Sequence, residues 1–364
     1  MRVQIVDPPA YTPPYDHSLA AALARAGADV ELVTSRFRHG PLPETGGGYR
    51  VSERFYRHGD SRLAKLAEHA PDMLSYRRRA RAADVVHYEW LTLEPVDSLL
   101  LPPKRPRVFT AHNVVAHDAP RGWESARRRL LRRMDAVVVH SEYGARQMSE
   151  RLGVPEERVR VVHHGAFDYL TRLSQEQPLP EELRDAEGPV VLFFGLLRPY
   201  KGLDVLVEAF RGVTGAELWI AGAPRMPLEP LERLARESPS AVRFLPRFVG
   251  DPEIPALFRR ADVVVLPYRE IDQSGVLYTA LAFGKPIVAS AVGGFVEVAE
   301  RHGAARLVPP GDTTALASAI QQLVDDPAER EQLARAAAAA AAGPYSWDSA
   351  ARGHLELYRE LTAA

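Results

Sequence analysis

Short apolar runs of strand length alternate with segments of helical period along the whole chain. That alternation is what most narrows its fold. Val3–Val6, Val30–Thr34, Ala83–His87, Arg107–Ala111, Ala136–His140 and Val159–His163 read as strands. Ser18–Ala26 reads as a helix closed by Gly27, and residues 46–48, all glycine, read as a loop. The stretch Leu173–Gly188 then loses the pattern: it is polar, holds Pro178 and Pro180, and sustains no period. A second series follows, with strands at Val190–Phe194, Glu217–Ala221, Val242–Phe244, Val263–Pro267, Pro286–Ala289 and Ala305–Val308. Helices are expected near Leu203–Phe210, Pro230–Glu237, Ile254–Arg260, Gly275–Phe283 and Thr314–Leu323. The alanine run Ala336–Ala342 favours helix. Gly343 and Pro344 end it, and Trp347–Leu361 forms a last helix.

Strands that alternate with helices make a parallel sheet covered on both faces. The chain is therefore expected to be α/β, with two doubly wound domains, which suits its 364 residues. The expected division is residues 1–172, a linker 173–188, a second domain 189–345 and a final helix 346–364. Such folds bind ligands outside the carboxyl ends of their strands, and helix N-termini there favour anions. Two of them joined by one linker should leave a cleft suited to a phosphate-bearing ligand.

The chain contains no cysteine, which excludes disulfides and cysteine metal sites. Its first residues are apolar without a basic lead, so no secretory signal is expected, and no apolar run is long enough to span a bilayer. A cytoplasmic protein is the expectation. Charge is uneven: residues 1–180 carry 27 Lys/Arg against 22 Asp/Glu, whereas the remainder carries 19 against 25. The excess gathers at Arg77, Arg78, Arg79 and Arg81, and at Arg121, Arg127, Arg128, Arg129, Arg132 and Arg133. Two solvated helix faces are one reading. A patch toward anionic lipid headgroups, at the inner membrane face, or toward an anionic acceptor is the other. No nucleic-acid motif accompanies the arginines, so nucleic acid is not an expected partner.

The segment that says most about chemistry is Phe193-Phe194-Gly195-Leu196-Leu197-Arg198-Pro199-Tyr200-Lys201-Gly202-Leu203. It joins a strand to a helix. Gly195 allows a close turn, Gly202 opens the helix, and Arg198 and Lys201 come to the strand end. Two cations there would stabilise a diphosphate, most strongly as its charge grows on departure. Tyr11, Tyr15 and Asp16 follow the first strand and are candidates for acceptor or donor contact; Glu89 and Trp90 carry lower weight. There is no Gly-x-Gly-x-x-Gly after the first strand, where Asp7-Pro8-Pro9-Ala10 stands, no Ser nucleophile elbow and no His-Glu-x-x-His. No Asp-x-Asp is present, and Asp325-Asp326 reads as a solvated helix end. Neither a divalent metal nor a cofactor is implied.

The Gly195–Leu203 segment resembles the phosphate-binding loop of family 4 glycosyltransferases, retaining enzymes of the GT-B fold. The likeness continues through Val242–Phe248, Pro255–Pro267, Gln273–Leu277, Ala282–Ser290, Gly293-Gly294 and Glu297. Ala111-His112-Asn113 and His163-His164-Gly165 carry it into the first half. The resemblance implies two Rossmann-like domains facing each other across a cleft, with the C-terminal helix packing back toward the first. It implies a hexosyl transfer, with retention and without metal, from a UDP- or GDP-sugar to a hydroxyl acceptor: a polysaccharide or lipid-linked precursor, or a natural product. Arg198 and Lys201 would contact the donor diphosphate. Gly195, Asp272, Gln273, Ser274, Gly275, Val276, Thr279 and Glu297 would line the donor site, and His112 would reach across the cleft to the donor sugar. For His164 a structural turn is the stronger reading. One departure concerns the two glutamates that the family usually places on the loop and helix before Gly284-Lys285-Pro286. Thr279 stands at the second position and Ile271, beside Asp272, near the first. A nucleotide-sugar epimerase, a phosphorylase or a non-catalytic partner subunit on the same fold are the alternatives.

Overall fold

The computed structural model describes residues 1–38, 40, 42–59, 61–103, 106–114 and 122–363. Arg121, placed in the basic patch above, lies outside the described residues. Contacts divide the chain into two units, Met1–Gly165 with Ser346–Ala364, and Ala166–Tyr345.

The first unit is built on seven strands: β1 Arg2–Asp7, β2 Asp29–Ser35, β3 Arg50–Phe55, β4 Val85–Tyr88, β5 Arg107–Thr110, β6 Ala136–Val139 and β7 Val159–Val161. Their order is β3-β2-β1-β4-β5-β6-β7, all parallel. The central strands are buried on both faces, which explains their continuous apolar runs. The edge strand β3 escaped the sequence reading because its residues, RVSERF, are mostly exposed and neither alternate nor cluster as apolar. The helix Pro13–Arg25 begins five residues before the expected Ser18, since Pro13 fits a first turn whose N–H needs no partner.

The second unit repeats the plan with β8 Val190–Phe194, β9 Glu217–Ala221, β10 Val242–Leu245, β11 Val263–Leu266, β12 Ile287–Ser290 and β13 Arg306–Val308. The order is β10-β9-β8-β11-β12-β13, again all parallel. Residues 173–188, expected as a separate linker, belong to this unit. Leu183 is 1% exposed and joins Tyr169 and Leu170 in its core, so this stretch is anchored by buried side chains despite its polar composition. Asp326 caps the helix Pro327–Ala342, accepting from the Ala328 and Glu329 N–H groups, as the helix-end reading of Asp325-Asp326 requires.

The final helix, Trp347–Ala363, belongs to the first unit and packs on Pro13–Arg25. Arg25 pairs with Asp348 at 2.9 Å, and the Tyr358 hydroxyl meets His87 Nδ1 at 2.5 Å. Trp347 covers Gly165 so closely that a Cβ there would fall 2.2 Å from the indole.

Candidate active site

In both sheets the strand order reverses direction beside the first strand of the unit, between β1 and β4 and between β8 and β11. These switch points are where a doubly wound fold leaves a crevice. In the second unit the loop after β8 is tied to its neighbour by Gly195 N–H to Ala221 O at 2.9 Å and Leu197 N–H to Ala223 O at 3.0 Å. At its end Gly202 has φ +67°, and a Cβ there would sit 2.0 Å from the Pro267 carbonyl oxygen. Only glycine lets the loops after β8 and β11 approach backbone to backbone.

That approach fixes Lys201. Its side chain is 7% exposed, with the ammonium 5.1 Å from the centre of the Tyr268 ring and 6.0 Å from that of Phe193. It lies 3.1 Å from where a Gly195 Cβ would stand, so a side chain at 195 would crowd it. No described carboxylate pairs with it. Burial lowers its pKa to about 8, and the neighbouring Arg198 guanidinium adds to that. A cation desolvated against aromatic faces, with no acid to neutralise it, is a receptor for an anion. Arg198 is half-buried three residues before it.

Behind β11, Arg269 N–H bonds Tyr200 O at 2.8 Å, and Tyr268 meets Ser274 Oγ at 3.3 Å. Asp272 and Ser274 are buried at 8% and 7% exposure. Gly294 N–H donates to Asp272 O at 3.2 Å, so the Gly293-Gly294 turn braces this loop. The Tyr278 hydroxyl donates to Gln273 Oε1. The helix Gly275–Ala282 starts here, and its first N–H groups, including those of Gly275 and Val276, have no acceptor within the helix. Thr279 is buried and spends its hydroxyl on the Gly275 carbonyl at 3.0 Å. Glu297 stands in the first turn of the next helix, Phe295–His302.

In the first unit, β1 ends at Asp7, whose Oδ2 accepts from the Tyr11 N–H at 2.6 Å and the Thr12 N–H at 3.3 Å. Tyr11 is 66% exposed and lies over Trp90, centroids 4.6 Å apart. Trp90 stacks on His112 at 4.9 Å with planes only 7° apart. His112 Nε2 lies 3.0 Å from Glu89 Oε2, and Tyr15 meets the imidazole edge-on at 4.7 Å. Burial lowers the His112 pKa to about 3, with Arg127 contributing, so the ring is neutral at pH 7. Burial raises Asp7 to about 6 and Glu89 to about 7. Asp16 is also raised, by burial and then by the charge of Asp7.

The arrangement sorts the candidates. Gly195, Arg198, Lys201, Asp272, Gln273, Ser274, Gly275, Val276 and Thr279 fall on the two loops and the helix at the carboxyl ends of β8 and β11. His112, Tyr11, Tyr15 and Asp16 surround the carboxyl ends of β1, β4 and β5. Tyr15 and Asp16 are each 2% exposed, with Tyr15 against His112, whereas Tyr11 is open to solvent. His164 is buried, with Nδ1 2.6 Å from Gly165 O. Tyr268 and Asp7 were not anticipated. Both lie at a switch-point strand's carboxyl end, and that position is the signal that could have found them. Within the basic clusters, Arg79 pairs with Glu31, and Arg127 is buried against Phe109 with Glu94 as its partner. Arg127 is thus structural, whereas Arg79 pairs while remaining exposed.

Two family models match the chain. Residues 188–326 match Glycosyl transferases group 1, and residues 15–166 match Glycosyltransferase Family 4. Alpha-D-kanosaminyltransferase of Streptomyces kanamyceticus is 30% identical over 65% of this chain and 63% of its own. D-inositol 3-phosphate glycosyltransferase of Kineococcus radiotolerans is 28% identical over 95% of this chain and 89% of its own. Among solved structures, sucrose-phosphate synthase of Thermosynechococcus elongatus has a TM-score of 0.75 at 21% identity, covering 100% of this chain and 99% of that one. Anabaena HepE in complex with UDP-glucose has a TM-score of 0.72 at 19% identity, covering 99% and 100%. These structures share its fold of parallel sheets flanked by helices. With both sheets doubly wound and both halves matched, the chain belongs to the family 4 glycosyltransferases of the GT-B fold.

Proposed function

We propose that this glycosyltransferase takes a hexosyl unit from a nucleotide diphosphate sugar, UDP- or GDP-linked, and passes it to an acceptor hydroxyl with retention and without a metal ion. The observation that carries the reading is Lys201: a buried ammonium with no acidic partner among the described residues, beside Arg198, where β8 meets its helix. Lys201 and Arg198 hold the diphosphate and take up its growing charge as it leaves. The first-turn N–H groups of Gly275 and Val276 support the distal phosphate and sugar. That HepE was solved with UDP-glucose supports a donor of this kind.

Tyr268 and Phe193 hold the ammonium in place and keep water from it, so little reorganisation is needed as charge develops. The acceptor oxygen attacks the anomeric carbon from the face that the diphosphate leaves, through an oxocarbenium-like state. The leaving phosphate oxygen takes the acceptor's proton. The chain's own part is positioning and charge stabilisation. Neutral His112 is assigned a sugar hydroxyl; Tyr11, exposed over Trp90, is assigned the acceptor.

Lys201→Ala lowers turnover by about 10²-fold or more, the scale of losing one preorganised electrostatic contact. Turnover is measured as nucleoside diphosphate released in the presence of acceptor. A folded variant with unchanged turnover contradicts the assignment. Activity persists in EDTA; loss restored by Mg²⁺ or Mn²⁺ contradicts the metal-free reading. Retention is read from the anomeric proton coupling of the product.

A further inference from the structure

The helix Arg62–Arg79 is capped by Ser61, whose hydroxyl accepts from the Ala64 N–H. Besides its buried side it carries a second, exposed apolar face. Leu63, Leu66 and Leu74 are 80%, 45% and 49% exposed, and with Ala67 and Pro71 they recur every three or four residues along one face. Its buried side holds His69, Met73 and Tyr76.

Both carboxylates of the helix are engaged by backbone elsewhere: Glu68 accepts from the His58 N–H at 3.1 Å and Asp72 from the Tyr56 N–H at 2.9 Å. The cations behave oppositely. Arg79 pairs with Glu31, but Arg62, Lys65, Arg77 and Arg78 make no ion pair with a described residue. The neighbouring helix Glu94–Leu100 repeats the arrangement. Val96 and Leu99 are 39% and 60% exposed, while Glu94 pairs with Arg127 and Asp97 bonds His69 at 2.6 Å.

A protein-binding hot spot is expected to carry aromatic anchors, and this face offers only aliphatic ones. Leucines edged by uncompensated Lys and Arg match an anionic lipid interface, where the leucines enter the acyl boundary and the cations stay with the headgroups. We propose that the outer face of the helix Arg62–Arg79 docks this enzyme on an anionic phospholipid bilayer. The proposal rests on this surface and does not depend on the donor or mechanism assigned above.

The test is sedimentation of the full chain with vesicles of phosphatidylcholine alone or mixed with phosphatidylglycerol. Binding is expected only with the mixed vesicles and weakens as salt rises. The triple variant Leu63→Gln/Leu66→Gln/Leu74→Gln lowers partitioning by about tenfold or more, and Arg77→Gln/Arg78→Gln removes the preference for phosphatidylglycerol. All five side chains lie away from the proposed active-site residues, so turnover on a soluble acceptor stays unchanged and reports correct folding. Should the triple variant misfold, Leu63→Gln alone, at the most exposed position, gives the same test with a smaller loss. Failure of the unaltered chain to bind mixed vesicles overturns the proposal, as does equal binding by the variants. Leucine-dependent self-association without vesicle binding also overturns it and assigns the face to a second copy.

Discussion

In the proposed reaction Lys201 carries the chemistry, because its surroundings make its charge costly until an anion arrives. Its pKa near 8 in the ligand-free enzyme has a definite sign. If the diphosphate binds the protonated amine as proposed, affinity for a nucleoside diphosphate is full below about pH 8 and falls as pH rises through it. Lys201→Arg, which stays charged, should flatten that fall even if it weakens binding overall. Titration calorimetry between pH 7 and 9.5 measures both. On the other unit, Glu89 holds the neutral His112 ring through Nε2. Glu89→Gln keeps a hydrogen-bond partner there, while Glu89→Ala removes it. Turnover should therefore fall about tenfold or more in the alanine variant and much less in the glutamine one. Equal loss in both would mean that the carboxylate's charge, rather than its position, matters. Arg198 and Lys201 could be singled out in the sequence because cations and glycines after a strand mark an anion loop, whereas the Ser274–Val276 run was singled out by family resemblance. Tyr268 was not, because an aromatic after a strand is usually core, and only the packing at Gly202 brings its ring beneath the lysine.

The elements that build the site are short loops held by backbone contact, and glycine permits that contact. Gly202→Ala would put a Cβ at 2.0 Å from the Pro267 oxygen and force a left-handed residue. The expected cost is at least about 2 kcal/mol, read as a lower melting temperature of the second unit. Alanine at Gly27, which also has a positive φ but nothing within 4 Å, should cost less. Sequence periodicity located the buried strands because they are apolar on both faces. It missed β3, whose exposed polar residues carry no periodic signal, and it could not show that Leu183 anchors residues 173–188 to the second core.

Across the whole molecule the same plan occurs twice, with different polar contents. The second unit presents cations at its switch point, whereas the first buries three carboxylates, Asp7, Asp16 and Glu89, among His87, His112, His140, His164 and His354. Burial lowers the pKa of all five histidines. Their contribution to stability is complete above about pH 6.5 and is lost as pH falls toward their folded values, by about 1.4 kcal/mol per pH unit for each. The raised carboxylates act in the opposite direction, favouring the fold below about pH 4 and losing that contribution as pH rises, to about 6 for Asp7 and about 7 for Glu89, with Asp16 shifted the same way. With His17 also lowered and Glu94 also raised by burial, six histidines oppose four carboxylates, so the first unit should melt at a lower temperature at pH 5 than at pH 7. A folded His140→Gln variant should lose less. Denaturation followed by near-UV circular dichroism tests this.

The doubly wound plan of each half was legible from the βα alternation, and the closing helix was placed with the first half by family resemblance. The buried His–carboxylate cluster was not legible, because its members lie on separate strands and loops that only the folded sheet brings together. The most direct test of the central claim compares binding of UMP and UDP, and of GMP and GDP, to the unaltered chain and to Lys201→Ala. The grip on the second phosphate predicts that one diphosphate binds at least about tenfold more tightly than its monophosphate, and that the alanine variant largely loses this advantage. Equal affinity for mono- and diphosphate in the unaltered chain, or an advantage untouched by Lys201→Ala, would contradict it.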